Sequence, residues 1–591
     1  MLKIFKHLRK KDVPYIAFAI TFICVAVWLE LRIPGYMREI TTLVQSEGTV
    51  VSEIWVQGFW MLGTAVLAMV AAITVGYCTG RVAAGFGRDL RVKVFGKVVN
   101  FGMEEVNQFS VPSLITRATN DISTVEQIIT VGFIALVRAP IMAVWATTRI
   151  LNEELDWAIA TMVAVGVLLL TIVVVIIFAL PKFRILPKLT DRLNQIAREH
   201  LSGIRVVKAY NAENYEAEKF EKANQTFMKT NRFAERMMSV LWPIVGLIMM
   251  ALPLAIYLIG AHLINNALGS FELESAGELF ASMIVFSQYA VQVVMSFLMM
   301  SFMLVFLPQA IISSRRINEV LEKETAIKYP EITSDATFDT NVAVEFKGVN
   351  FKYPEADDYV LEDINFTVNV GETAAFIGAT GSGKSTLLKL MTRAYDVTSG
   401  HVNLYGKDVK NYTEEELTDK IGYTLQKATL LSGSIASNVA FGKENTDDQL
   451  DEVKTATDLA QATEFISKLE NTYESDITQG GTNVSGGQRQ RLSIARTLFR
   501  KSDLLIFDDS FSALDYKTDR NLRQALKEAR NDATKLIVAQ RVSTIKDAHK
   551  IIVLDEGRVV GVGTHKELLE NCGVYYEIAS SQLSKEELAN G

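Results

Sequence analysis

At 591 residues the chain exceeds the roughly 100 to 250 residues of one hydrophobic core, so several units are expected. Hydrophobic residues make up 49% and charged residues 21%, with mean hydropathy +0.19, which suits a membrane part joined to a soluble part better than either alone. The net charge of -7 gives no reason to expect nucleic acid, and the scattered Cys24, Cys78 and Cys572 fit neither a disulfide framework nor a metal site.

The chain opens with the basic stretch MLKIFKHLRKK before a long apolar run that no small-residue cleavage site closes, which predicts a retained signal anchor. Six stretches approach the ~20 apolar residues a bilayer requires: Tyr15 to Ile33, Ile54 to Cys78, Val131 to Leu151, Trp157 to Leu180, Val240 to Ile264 and Leu279 to Leu307. Lysines and arginines cluster before the first span and after the second, fourth and sixth. The other connections are short and mostly acidic (Glu47 and Glu53; Glu153, Glu154 and Asp156; Glu272 and Glu274). By the positive-inside rule both termini are cytoplasmic. The cytoplasmic connections Arg81 to Asn120 and Pro181 to Arg236 carry apolar residues at helical spacing, so the membrane helices are expected to continue into the cytoplasm.

Arg138 is the one clear ionisable residue at depth in a span, a placement that calls for an internal partner or a function; we read its role as structural, snorkelling or pairing within the bundle. The sixth span is rich in Met and Phe, including Met283, Met295, Met299 and Phe302, with Gln288 and Gln292 one turn apart. Soft side chains with polar handles suit an adaptable apolar pocket, although most of them are read as packing or lipid-facing. Pro140, Pro243 and Pro253 are expected to bend their spans.

Residues 1–321 are thus expected as the membrane domain, 322–340 as a polar linker and 341–591 as a soluble α/β domain. In the last, strand-like runs (Val342 to Phe346, Thr373 to Ile377, Leu504 to Phe507, Lys535 to Ala539, Ile551 to Leu554) alternate with helical ones, predicting a mostly parallel sheet. Between one such strand and a helix lies GATGSGKST, Gly378 to Thr386, which fits G-x-x-x-x-G-K-[ST] in its required context. Small residues (Gly378, Thr380, Gly381, Ser382, Gly383) let backbone N–H groups converge on phosphate, Lys384 supplies charge, and the Ser385 hydroxyl suits Mg²⁺, with Thr386 closing the motif. LLIFDD, Leu504 to Asp509, is an apolar strand ending in two acids, and Asp508 is placed to hold Mg²⁺.

Between them lies Val484 to Gln488, VSGGQ, which resembles the signature motif of ATP-binding cassette (ABC) transporters. With six preceding spans, nearly the full length resembles a half-transporter of the exporter type. The resemblance implies that Tyr353 stacks on adenine, that Gln426 touches Mg²⁺, and that Ser485, Gly486, Gly487 and Gln488 close over ATP bound to an opposite subunit. It also implies a D-loop at Ser512 to Asp515 and coupling helices near Ser110 to Thr119 and Tyr210 to Glu216.

Two positions depart from the family pattern. Asp509 stands where the family has a catalytic glutamate, about 1.5 Å shorter in reach, and Gln540 stands where it has a switch histidine. A misplaced general base forfeits roughly 10²- to 10⁴-fold in rate, and an amide cannot carry the imidazolium charge. The pair resembles the degenerate-site subunit of heterodimeric bacterial exporters. This implies a second half-transporter with the consensus glutamate, a plasma-membrane location in a bacterial bilayer, ATP and Mg²⁺ as ligands, and a small hydrophobic or amphipathic substrate of the multidrug type. Lipid remains an open cargo; peptide is disfavoured because no protease domain precedes the first span. An ATP-gated channel or regulatory subunit also remains, disfavoured by the lack of a long regulatory insert.

Overall fold

The computed structural model describes residues 3–46, 50–151, 155–269, 273–331, 341–354, 356–442, 449–584 and 588. Glu47, Glu153, Glu154, Glu272 and the second half of the expected linker, 332–340, lie outside these. The chain divides into two compact units, Met1–Val99 with Val111–Lys323, and Asn100–Ser110 with Glu324–Gly591.

The first unit is helical: α1 (Val13–Gln45) and α2 (Val51–Val99), then, beyond α3 (Met103–Phe109) of the second unit, α4 (Val111–Ala118), α5 (Asn120–Gln127), α6 (Phe133–Leu151), α7 (Leu155–Ser202), α8 (Ile204–Ala209), α9 (Glu213–Ser239), α10 (Leu241–Gly269) and α11 (Leu273–Glu322). Six helical stretches among the described residues are long and apolar enough to cross a membrane, one per expected span. With 49 residues in α2 and 48 in α7, at about 1.5 Å per residue each is on the order of 70 Å long, more than twice the ~30 Å hydrocarbon layer. They therefore run on past it. A wide π-turn at Ile128–Gly132 joins α5 to α6. Pro140 and Pro253 lie in helix interiors, whereas Pro243 falls in the first turn of α10, where its missing N–H breaks no ladder bond.

The interior of this unit packs fully buried Trp157 on Phe286, ring centroids 5.3 Å apart, while the Tyr289 hydroxyl donates to the Leu31 carbonyl at 2.9 Å. Trp55, Phe59, Leu170 and Met250 point outward, Met250 80% exposed. So much outward apolar surface suits lipid as the solvent. Outside the spans, Arg9 pairs with Asp89, and Arg117 reaches Glu319 at 2.9 Å. Arg9's guanidinium holds the Asp89 carboxyl below its ordinary value.

Among its described residues the second unit has twelve strands: β1 (Val342–Phe351), β2 (Leu361–Asn369), β3 (Thr373–Gly378), β4 (Ser399–Leu404), β5 (Lys407–Asp408), β6 (Ile421–Thr424), β7 (Gly433–Ser434), β8 (Asp476–Ile477), β9 (Leu504–Asp508), β10 (Thr534–Val538), β11 (Lys550–Asp555) and β12 (Arg558–Gly563). The central sheet runs β12-β11-β3-β10-β9-β6, parallel except at the β11–β12 edge. Every residue of β9 and β10 is buried, as a strand covered on both faces requires. A second sheet, β2-β1-β4-β5, is antiparallel. Phe366 joins the two by stacking on Phe346 at 4.6 Å and meeting Phe376 edge-on at 5.5 Å.

One expectation is corrected. The segment that packs into this unit is Asn100–Ser110, carrying α3, not Ser110 to Thr119. Its buried Glu105 accepts the Gly102 N–H at 2.9 Å and the Ala326 N–H at 2.7 Å, and Asn107 donates to the Tyr395 hydroxyl at 3.0 Å. Residues 324–331, within the expected linker, bond into this unit: Lys328 accepts from Arg393 through its carbonyl at 3.1 Å, and that guanidinium covers the Tyr329 ring.

Candidate functional site

Three parallel neighbours, β3, β10 and β9, deliver their carboxyl ends to one edge of the central sheet, where open α/β sheets bind ligands. Gly378 to Thr386 follows β3, Asp508 and Asp509 end β9, and Gln540 lies two residues past β10. The sequence separates the loop from the two acids by more than 100 residues; the register brings them together.

The loop turns through Gly381 and Gly383 at positive φ, 89° and 97°. A β-carbon on Gly383 would stand 2.5 Å from the Leu361 side chain, so only glycine fits. Gly383 caps the helix Lys384–Met391, whose first N–H groups face the loop. The Lys384 ammonium donates to the carbonyls of Gly378 and Ala379 at 2.9 and 2.7 Å and to the Ser382 hydroxyl at 3.2 Å. Burial lowers its pKa from the ordinary lysine value. Thr380 is exposed, Ser382 buried, and the Thr386 hydroxyl lies 3.1 Å from that of Tyr353. The Tyr353 ring is held edge-on by Tyr395, centroids 5.2 Å apart, with Lys389 over it.

Asp508 receives the Ser385 hydroxyl on Oδ1 and the Tyr423 hydroxyl on Oδ2, both at 3.3 Å. Burial, more than the nearby Asp509, raises the Asp508 carboxyl above its ordinary range, and burial raises Tyr423 as well. Adjacent hydroxyl and carboxylate oxygens beside a phosphate loop are the hard donors that Mg²⁺ takes, so the residues present fit a magnesium nucleotide. Tyr423 is absent from the sequence reading; its one signal was its place in the strand before Gln426.

Asp509 has φ 46°, the left-handed region that aspartate tolerates better than most residues. Its Oδ2 accepts from the side-chain amides of Gln540 at 3.0 Å and Gln426 at 3.4 Å. Both sequence departures therefore meet in one contact. Ser485 and Gln488 form a capping box on the helix Gly486–Phe499, the serine N–H donating to the glutamine at 2.8 Å. They leave Ser485 and Gly486 exposed at a helix N-terminus. A β-carbon on Gly487 would meet the Ala513 carbonyl at 3.3 Å, while one on Gly486 would meet nothing within 4 Å. The structure thus gathers Tyr353, the phosphate loop, Gln426, Asp508, Asp509 and Gln540 along one edge. The signature stands on its own helix.

A six-span helical unit with a phosphate-loop unit bearing this signature defines a membrane transporter driven by nucleotide. Family comparison agrees: the ABC transporter transmembrane region matches residues 16–296 and the ABC transporter domain residues 361–512. The chain belongs to the ABC transporter family. It is 37% identical over 528 residues to an uncharacterized ABC transporter ATP-binding protein of Mycobacterium tuberculosis, covering 89% of this chain and 88% of that one. To an ATP-dependent lipid A-core flippase of Desulfotalea psychrophila it is 30% identical over 517 residues, 85% of each chain. A bacterial Atm1-family ABC exporter with ATP bound shares the fold, with TM-score 0.78 at 21% identity over 98% of this chain and 100% of the other.

Proposed function

We propose that the chain is one half of a two-subunit ATP-driven exporter of hydrophobic or amphipathic compounds, holding ATP at a weak site of its own and completing a stronger site on a partner with a catalytic glutamate. The observation that carries this is Asp509: a short carboxylate whose Oδ2 is occupied by two neutral amides, in the position from which an attacking water is oriented. Mg²⁺ bound with ATP would neutralise charge on the phosphates. Ser385, Asp508 and Gln426 are the residues that would hold it, with Lys384 turning from the loop carbonyls to the phosphates. Exposed Ser485 with Gly486 and Gly487 would close on the partner's nucleotide.

Isolation from source membranes through a tag on this chain alone tests the pairing. Two unequal subunits in the native mass, one near 65.7 kDa, support it; a dimer of this chain alone overturns it. Within the complex, Ser485→Ala should sharply lower ATPase activity, and unchanged activity would sink the composite site. Lipid transport is the second reading, favoured by the 30% identity to the Desulfotalea psychrophila flippase.

A further inference from the structure

Within the first unit a cavity of about 580 Å³ opens between α1, α6 and α11. Its walls hold an ion pair. Arg138 Nη2 donates to both carboxylate oxygens of Glu30, at 2.9 and 2.7 Å, with the side chains 37% and 25% exposed. Gln288 and Gln292 face the same space, and Met295 and Met299 supply soft apolar wall. The buried Oε1 of Gln292 accepts from no described group.

An ion pair among apolar helices is costly relative to well-packed hydrophobic residues, so its placement at a cavity rather than in the packed interior requires a reason. Arg138 presents five N–H donors and spends only one nitrogen on Glu30, leaving Nη1 and Nε with no partner among the described residues. The lining carries one positive and one negative charge. A purely anionic guest taking Arg138 would strand Glu30, and a purely cationic one would strand Arg138. Only a guest bearing both signs can open the pair and leave every charge matched.

We propose that this cavity is the recognition site for a zwitterionic amphipath: its cationic group meets Glu30, its anionic group meets Arg138, and Met295 and Met299 cover the tail. Calling this guest the cargo rests on the transport reading above.

The full chain, with whatever partner co-purifies, is reconstituted in nanodiscs and titrated with four probes sharing a dodecyl tail: dodecyl betaine, dodecyltrimethylammonium, dodecanoate and dodecanol. The wild type should bind the betaine roughly tenfold tighter than the alcohol, the margin one charged hydrogen bond supplies in a partly dry site. Glu30→Gln should shift preference to dodecanoate and Arg138→Gln to dodecyltrimethylammonium. The double variant, which leaves no lone charge to impair folding, should bind all four alike. Equal binding of all four by the wild type, or a ranking that no variant changes, overturns the site. Comparing phosphatidylcholine with phosphatidylglycerol nanodiscs names the source: if the former blocks the betaine the guest is a lipid headgroup, and if neither does it is a non-lipid amphipath. Lost selectivity with ATP-driven dye efflux intact removes the site alone. Selective binding without any ATP-driven movement removes the transport reading and leaves the site.

Discussion

Asp509 and Gln540 act together because one hydrogen bond joins them, so changing either alone leaves the other mismatched. Asp509→Glu with Gln540→His should raise ATP turnover at this chain's own site, in a complex whose partner site is inactivated, by about 10²-fold or more, the range a correctly placed base commands. A double variant no faster than the parent, measured by phosphate release, would show that rate is limited elsewhere. Beside them, Tyr423→Phe removes one of two hydroxyls held by buried Asp508. The expected cost is about 1 kcal/mol in stability, with weaker Mg²⁺-dependent nucleotide binding by calorimetry. The motif residues were legible because a phosphate loop needs its small residues consecutively. Glu30 was not: it sits near the end of an apolar run next to Arg32 and reads there as a boundary charge, and only the packing of α1 on α6 makes it the partner of Arg138.

Four of the five parallel strands, β3, β9, β10 and β11, were legible as runs of aliphatic residues, the pattern that burial on both faces produces; the four-residue β6, IGYT, was not. Val342 to Phe346, read as part of the parallel sheet, is β1 of the antiparallel one, whose other strands were missed because β2 alternates buried and exposed positions through polar residues, LEDINFTVN, and β4 is short. The family resemblance put the coupling helix one element late, near Ser110 to Thr119; the place of α3 follows from Glu105 and Asn107 bonding into the second unit, contacts that no local pattern announces. Glu105→Ala should therefore remove two hydrogen bonds to a buried carboxylate, from the Gly102 and Ala326 N–H groups, and cost roughly 1 to 3 kcal/mol. Hydrogen exchange confined to residues 100–110 and 324–331 would report it. Unchanged protection there would mean that the helix is held by other contacts.

Across the whole chain, basic residues flank alternate ends of the spans, a pattern that predicts cytoplasmic termini and can be tested. With Cys24, Cys78 and Cys572 replaced, a cysteine at Val50 should react with an impermeant maleimide on intact cells, and one at Tyr210, 80% exposed, only after permeabilisation. The reverse pattern would invert the topology.

The π-turn at Ile128–Gly132 also sets a phase. A wide turn takes up one residue more than a regular helical turn, and each residue advances a helix by about 100°. Arg138 lies six residues beyond it on the same rod, so the extra residue determines the compass bearing of its guanidinium. Shortened by one residue, the rod would carry that charge about a quarter-turn away from Glu30, with no change in side chains. The charge balance of the cavity is thus written in the count of residues in a turn that touches neither charge.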